Sequence, residues 1–245
     1  MRHAIWWGLA VVCLLAPHMA WAQAVNIDLG QGGGAGTTSR LVQLSALITV
    51  LSLAPSLLVM VTAFTRIVIV LSLLRSALGA QGTPPNPVLI GLALFLTLFV
   101  MQPTLQKSWE AGIQPMIVGQ VDEMEGLKQT AQPFHDFMAA TVRPVDVVTF
   151  SNIAHEKVPS SVQQTSWRVL VPAFMVGELR RGFEMGFLLY LPFLIIDLVV
   201  ASVLMSLGMM MLPPNTVSLP FKLIFFVAVD GWSMVAGSLV RSFTG

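Results

Sequence analysis

The sequence predicts an all-α, membrane-associated protein: two helical hairpins with a small, mostly helical polar domain between them. Three observations lead there. Of the 245 residues, 55% are hydrophobic and 10% charged, with a mean hydropathy of +0.78, whereas a soluble domain carries about 25% charged residues. Residues 77–86 and 206–215 repeat one another. Ala77-Leu78-Gly79, four residues and Pro84-Pro85-Asn86 stand against Ser206-Leu207-Gly208, four residues and Pro213-Pro214-Asn215. Finally, twelve of the twenty-five charged residues fall between 107 and 168 and separate two apolar stretches. Each copy of the repeat lies between long apolar segments and reads as the turn at a hairpin tip. Repeated hairpins in a membrane chain point to a conduit, a carrier or an assembly core rather than to a soluble catalytic pocket.

The chain opens with Arg2 and His3, an apolar run from Ala4 to Ala16, and the small-x-small site Ala20-Trp21-Ala22. This is the pattern of a cleaved signal peptide over 1–22, and the run is shorter than the ~20 residues a membrane span needs. The only cysteine, Cys13, lies within it. The mature chain would then have no disulfide and no cysteine-ligated metal. Residues 23–40 are rich in Gly, Ser, Thr and Gln. Their Gly32-Gly33-Gly34-Ala35-Gly36-Thr37-Thr38 run lacks the lysine of a phosphate loop and reads as a flexible extracytoplasmic segment.

The first hairpin occupies 41–106. Leu41 to Thr65 is twenty-five residues without a charge, long enough to span. Arg66 interrupts, the apolar pattern resumes to Arg75, and the turn at Pro84, Pro85 and Asn86 follows. Val88 to Met101 is apolar again and runs on toward Lys107. Residues 107–168 form the polar, water-facing domain. Its His135 and His155 read as surface or packing residues, since His155-Glu156 lacks the second histidine of a zinc-protease helix. The second hairpin, 169–245, turns at Pro213, Pro214 and Asn215, where proline cannot continue a helix. With the signal removed, two passes return the polar domain to the outside and both tips face the cytoplasm. The positions of Arg66, Arg75 and Lys222 toward the tips agree with the positive-inside rule.

The second hairpin is unusually charged: Glu178, Arg180, Arg181, Glu184, Asp197, Lys222 and Asp230. A charge at the bilayer centre costs roughly 3 kcal/mol or more, so these helices are expected to pack against protein in an obligate multi-subunit assembly. Glu178 with Arg181 and Arg180 with Glu184 have helical neighbour spacing. Asp197, Lys222 and Asp230 have no such local partner. Arg66 and Asp197 lie at similar distances from their tips and are expected to pair, within or between subunits. Asp197 and Asp230 could alternatively form a proton relay. No chain of further titratable groups accompanies them, which favours a structural ion pair or a buried acceptor. Met209, Met210 and Met211 precede the second turn between Gly208 and Leu212. Three consecutive helical residues span about 200° of surface, so a loop or frayed end fits them better than one packed face. Unbranched methionines mould to varied shapes, as a plug repeated around a pore would need.

These residues carry a resemblance. Pro192-Phe193-Leu194-Ile195-Ile196-Asp197-Leu198-Val199-Val200-Ala201-Ser202-Val203-Leu204 is similar to the signature of the FliP family of flagellar type III export-gate subunits. So are Pro172-Ala173-Phe174 through Glu178 to Gly186, Phe64-Thr65-Arg66-Ile67, Leu74 to Gly79, Pro220-Phe221-Lys222 and Val229-Asp230-Gly231-Trp232. The resemblance covers both hairpins. It implies a ring of copies, five by family resemblance, joined by FliQ and FliR and associated with FlhA and FlhB. Unfolded flagellar proteins would cross the bacterial inner membrane through its centre, at the base of the flagellum. It implies helices held largely in an assembly above the membrane plane. It also implies a closed-pore gasket role for Met209, Met210 and Met211 and a subunit-contact role for Glu178. One departure is Gly177, where the family pattern leads one to expect Ser or Thr and the hydrogen bond its hydroxyl would make. The signal peptide and the length favour the flagellar over the injectisome branch.

Other function classes fare worse. A proton-coupled transporter using Asp197 and Asp230 is the alternative. An enzyme is not expected: there is no Gly-x-Ser-x-Gly, no His-Glu-x-x-His and no cysteine nucleophile. No cofactor or metal is expected, and the net charge of +1 with no basic run argues against nucleic acid.

Overall fold

A computed structural model describes residues 59–80, 82–209 and 211–244, together with Ser45, Ile48, Thr49, Ser52 and Ser56. The expected signal peptide with Cys13, residues 23–40 and Met210 lie outside the described residues. All regular elements among the described residues are helical. The charge-free run predicted from Leu41 is broken at Thr62–Ala63, where the Thr62 hydroxyl accepts the Phe64 N–H at 3.4 Å. Such local bonds compete with the helical ladder. Helix α1 (Phe64–Leu78) begins there, and its Ile67, Val70, Leu71, Leu74 and Ala77 are buried in the main core. Those positions follow the helical i, i+3/i+4 spacing.

Helix α2 (Asn86–Ser108) runs past the predicted hairpin boundary through a π-helical turn (Trp109–Ile113) into α3 (Gln114–Ile117). Where this rod meets α4 (Glu123–Thr141), Gly112 is required. A Cβ there would lie 2.4 Å from the Thr130 nitrogen and 2.5 Å from the Gly126 carbonyl oxygen. Helix α5 (Pro144–Ala154) ends on His155, whose φ of 55° is left-handed. A single 3-10 turn (Val162–Gln164) leads to α6 (Trp167–Ser206), forty residues long. The polar domain is thus helical as expected, and it closes on a second core where Met138, Val142 and Val147 meet Leu170, Ala173 and Phe174 at the start of α6. His135 is a packing residue here. Its Nε2 lies 2.8 Å from the Thr165 carbonyl oxygen, and its ring meets Trp167 edge-on at 5.1 Å.

The return limb of the second hairpin divides in two. Helix α7 (Pro214–Ala228) and α8 (Gly231–Thr244) meet at a 63° bend. Asp230 is left-handed at φ 49°, and a Cβ on Gly231 would lie 2.1 Å from the Phe226 ring. Two rods, Asn86–Ile117 and Trp167–Ser206, are long and apolar enough to cross a membrane, and α7 with α8 would make a third if the bent pair is one span.

The repeat itself is cap chemistry. Gly79 (φ 67°) ends α1 and Gly208 (φ 72°) ends α6, each taking the left-handed cap position that glycine adopts at little steric cost. At Gly208 the cap is a Schellman motif, with Met209 N–H to Leu204 O at 2.9 Å and Gly208 N–H to Met205 O at 3.1 Å. Pro85 and Pro213, in extended conformation, then open α2 and α7.

Candidate functional site

Helices α1 and α6 run parallel. A Cβ on Gly182 would lie 3.2 Å from the Ile69 side chain, and one on Gly186 would lie 2.3 Å from Leu73 Cδ1. Two glycines four residues apart let the backbones approach closely, as small residues do between membrane helices. Residue n of α1 therefore sits beside residue n + 113 of α6, whereas the tips are 129 residues apart in the repeat. The sixteen-residue difference is about 24 Å of helix at ~1.5 Å per residue. Both tips point the same way, and the second projects that far beyond the first.

This stagger decides the ion pairs. Within the chain the expected Arg66–Asp197 pair does not form, because Arg66 lies level with Glu178. Arg66 Nε donates to Glu178 Oε2 at 2.8 Å and Nη2 to Oε1 at 2.5 Å, with both side chains 1% exposed. Arg66 Nη1 donates to the Ser242 carbonyl at 3.0 Å and to its hydroxyl at 2.9 Å, and the guanidinium lies 3.7 Å over the Phe243 ring. Phe243 in turn stacks on Phe137 of the polar domain. Glu178, for which the resemblance implies a subunit contact, is paired with Arg66 within the chain, with Arg181 Nη1 also 3.8 Å away. The Arg180–Glu184 pair forms at 2.8 Å on the exposed face.

Asp197 sits beyond the end of α1 and finds its partners on α7. Ser218 Oγ donates to Oδ1 at 2.5 Å, and Lys222 Nζ donates to Oδ2 at 2.6 Å. Lys222 also donates to the Ala77 carbonyl at 3.0 Å, one of the last-turn carbonyls an α-helix leaves unpaired. A lysine at a helix C-terminus suits the dipole as well. Asp197 is therefore a paired acceptor. Asp230, at the α7–α8 bend, is exposed and is not brought together with it by any bond among the described residues.

At the first tip Arg75 bonds Asn86 across the turn that holds Pro84 and Pro85. At the second, Met211 is 98% exposed and Met209 44%, beside Pro213, Pro214 and Asn215. The shaft leading there is apolar, with Leu194, Leu198, Val199, Val203, Phe221 and Ile224 exposed. Among the described residues no group of three or more His, Cys, Asp or Glu side chains could hold a metal ion.

Sequence reasoning overlooked Ser218, Ser242 and Phe243. Ser218 was legible in principle, since it precedes Lys222 by one helical turn. The bonds from Arg66 to Ser242 and Phe243 depend on how α8 folds back and leave no local signal.

The FliP family model matches residues 47–239. Curated relatives extend the match over most of the chain. A flagellar biosynthetic protein FliP of Caulobacter vibrioides is 57% identical over 96% of this chain and 88% of its own length. One of Agrobacterium fabrum is 48% identical over 95% and 96%, and one of Bacillus subtilis is 47% identical over 84% and 93%. The matched region holds both tips, Arg66 with Glu178, and Asp197 with Lys222, so the chain belongs to the FliP family of flagellar biosynthetic proteins.

Proposed function

We propose that this chain is a pore-forming, non-enzymatic subunit of the flagellar protein export gate in the bacterial inner membrane. Several copies, five by family resemblance, form a ring with FliQ and FliR and work with FlhA and FlhB. Unfolded flagellar proteins pass through its centre, and the polar domain faces the periplasm. The observation that carries the reading is the methionine loop at the end of the longer hairpin, 98% exposed at Met211, on a shaft whose apolar faces lack partners among the described residues. Exposed apolar surface of that extent calls for neighbours. Arranged around an axis, the loops converge as a soft plug that yields to diverse chains.

The test is native mass spectrometry of the detergent-solubilised complex, expressed with its neighbouring genes. A ring of several copies carrying small membrane partners supports the gate. A monomer or dimer without partners points instead to a secondary transporter, for which Asp197 and Asp230 would be assayed for proton coupling.

A further inference from the structure

The long second hairpin is tied to the rest of the chain at one level near its end. There Lys222 joins three segments: the C-terminal carbonyl of α1 at Ala77, the shaft of α6 at Asp197, and its own helix α7. Ser218, fully buried one turn away, holds the other carboxylate oxygen. Lys222 is itself only 4% exposed. Toward the tip, among the described residues, no hydrogen bond or ion pair joins α6 to α7 beyond Ser218. What remains is a run from Asp197 to Ser206 and one from Pro214 to Lys222, each about 12–14 Å of helix at ~1.5 Å per residue. Distal to Ser218, an apolar groove lies between them, lined by Val199, Val203, Leu204, Val217 and Phe221.

The geometry points to Lys222 as the positioning residue of the methionine loop. The inference rests on the gate reading above. Non-directional apolar contact holds the two arms together but does not fix their angle to α1. Lys222 does, because its donors are directional and its carbonyl partner belongs to the other hairpin. The arm distal to Lys222 then has a fulcrum on the tip of α1. Loss of the tie frees the loop to swing, and a small angular change displaces a loop some 12 Å away far more than it displaces the α1–α6 packing around Gly182 and Gly186. A subunit can therefore stay assembled and still seal badly. The Ala77 bond makes a second demand: the group at position 222 must be a donor. Reversing both charges, D197K with K222D, restores opposite charges but sets a carboxylate against a carbonyl, so it does not restore the loop's position.

The experiment compares cells producing the whole complex without exported substrate. The amount and composition of the complex are measured by native mass spectrometry, and entry of a small impermeant solute is measured per complex. Deletion of Met209–Met211 serves as the leaky reference. K222M is expected to leave composition unchanged and to raise entry at least tenfold over the unaltered complex. K222R is expected to return to within twofold of background, and D197K/K222D to stay leaky. A role confined to folding would lower the amount of complex without raising entry per complex. K222M that is complete and tight while the methionine deletion leaks overturns the inference alone. A methionine deletion that is itself tight overturns the gate reading and this inference with it. If K222M does not accumulate, D197L/K222M decides. It removes the Ala77 bond without leaving an unpaired buried carboxylate, and entry above background supports the role whereas entry at background overturns it.

Discussion

At the first tip, Leu78-Gly79 ends α1 and Pro85 opens α2; at the second, Leu207-Gly208 ends α6 and Pro213 opens α7. The local grammar is shared, down to a left-handed glycine in each. The surroundings are not. The first tip lies against Lys222, whose Nζ would be 3.7 Å from a Cβ at Gly79, while none of the described residues comes within 4 Å of one at Gly208. A short repeat fixes how a helix stops and restarts. It does not fix where one hairpin stands beside the other. That is set by the small residues Gly182 and Gly186 and by the level at which a buried charge finds its counter-charge.

The comparison breaks most severely at the root of the stagger. Removing the Glu178 carboxylate leaves Arg66 charged, buried and without its bidentate partner, which typically costs 3–5 kcal/mol. E178A is expected to abolish accumulation of the protein, read as its steady-state level in membranes. The double variant R66M/E178L removes both charges and is expected to recover much of that level, since replacing a buried pair by apolar residues is often neutral. Equal loss in the single and double variants would show that Glu178 serves a partner outside the chain.

The register comes next. A valine at Gly186 would drive its Cβ to within 2.3 Å of Leu73 Cδ1. The end of a leucine can move, so overpacking of about 1–3 kcal/mol is expected, read as a lowered thermal midpoint of the complex in detergent. Truncating the neighbour in G186V/L73A should return most of it. If it does not, the α1–α6 register is set elsewhere.

A smaller effect tests the tips against each other. Alanine at Gly79 or Gly208 faces the same left-handed backbone, worth about 1–2 kcal/mol for a residue with a Cβ. The two variants are expected to lose similar stability in the same thermal measurement. They should differ in solute entry, which only G208A raises, because only the second tip carries the methionines.

Much of this was legible in the sequence because it is local. Cap glycines, turn prolines, apolar runs and the cluster of charges around 107–168 announce helices, tips and the polar domain. The pairing of charges was not legible. Distance from the tip placed Arg66 opposite Asp197, since counting along the repeat assumes that the tips are level. Two glycines on α6 shift the contact by sixteen residues, and only the packed structure reveals which residues meet. The bend at Asp230 also escaped, although Asp230-Gly231 carries a local signal: both are poor helix formers that accept left-handed backbone, and Asp230 takes it at φ 49°.

The smallest effect concerns Gly177, where a hydroxyl was expected from the family pattern. A Cβ at this position would lie 3.4 Å from Asp146 Oδ2, and that buried oxygen has no hydrogen-bond partner among the described residues. The first turn of α5 thus presents an acceptor to α6 at a glycine, which has no side-chain donor to offer. G177S is expected to stabilise the protein by about 1 kcal/mol, from one new hydrogen bond and the loss of glycine from a helix interior. The informative comparison is with G177A, which gains the same relief of backbone entropy but offers no donor. Alanine is the better helix former by about 0.5 kcal/mol, so propensity alone ranks the thermal midpoints alanine above serine. A serine midpoint equal to or above that of alanine means that the hydroxyl bonds Asp146. The reverse order means that Asp146 keeps its solvation in some other way and that the glycine costs this chain only its backbone freedom.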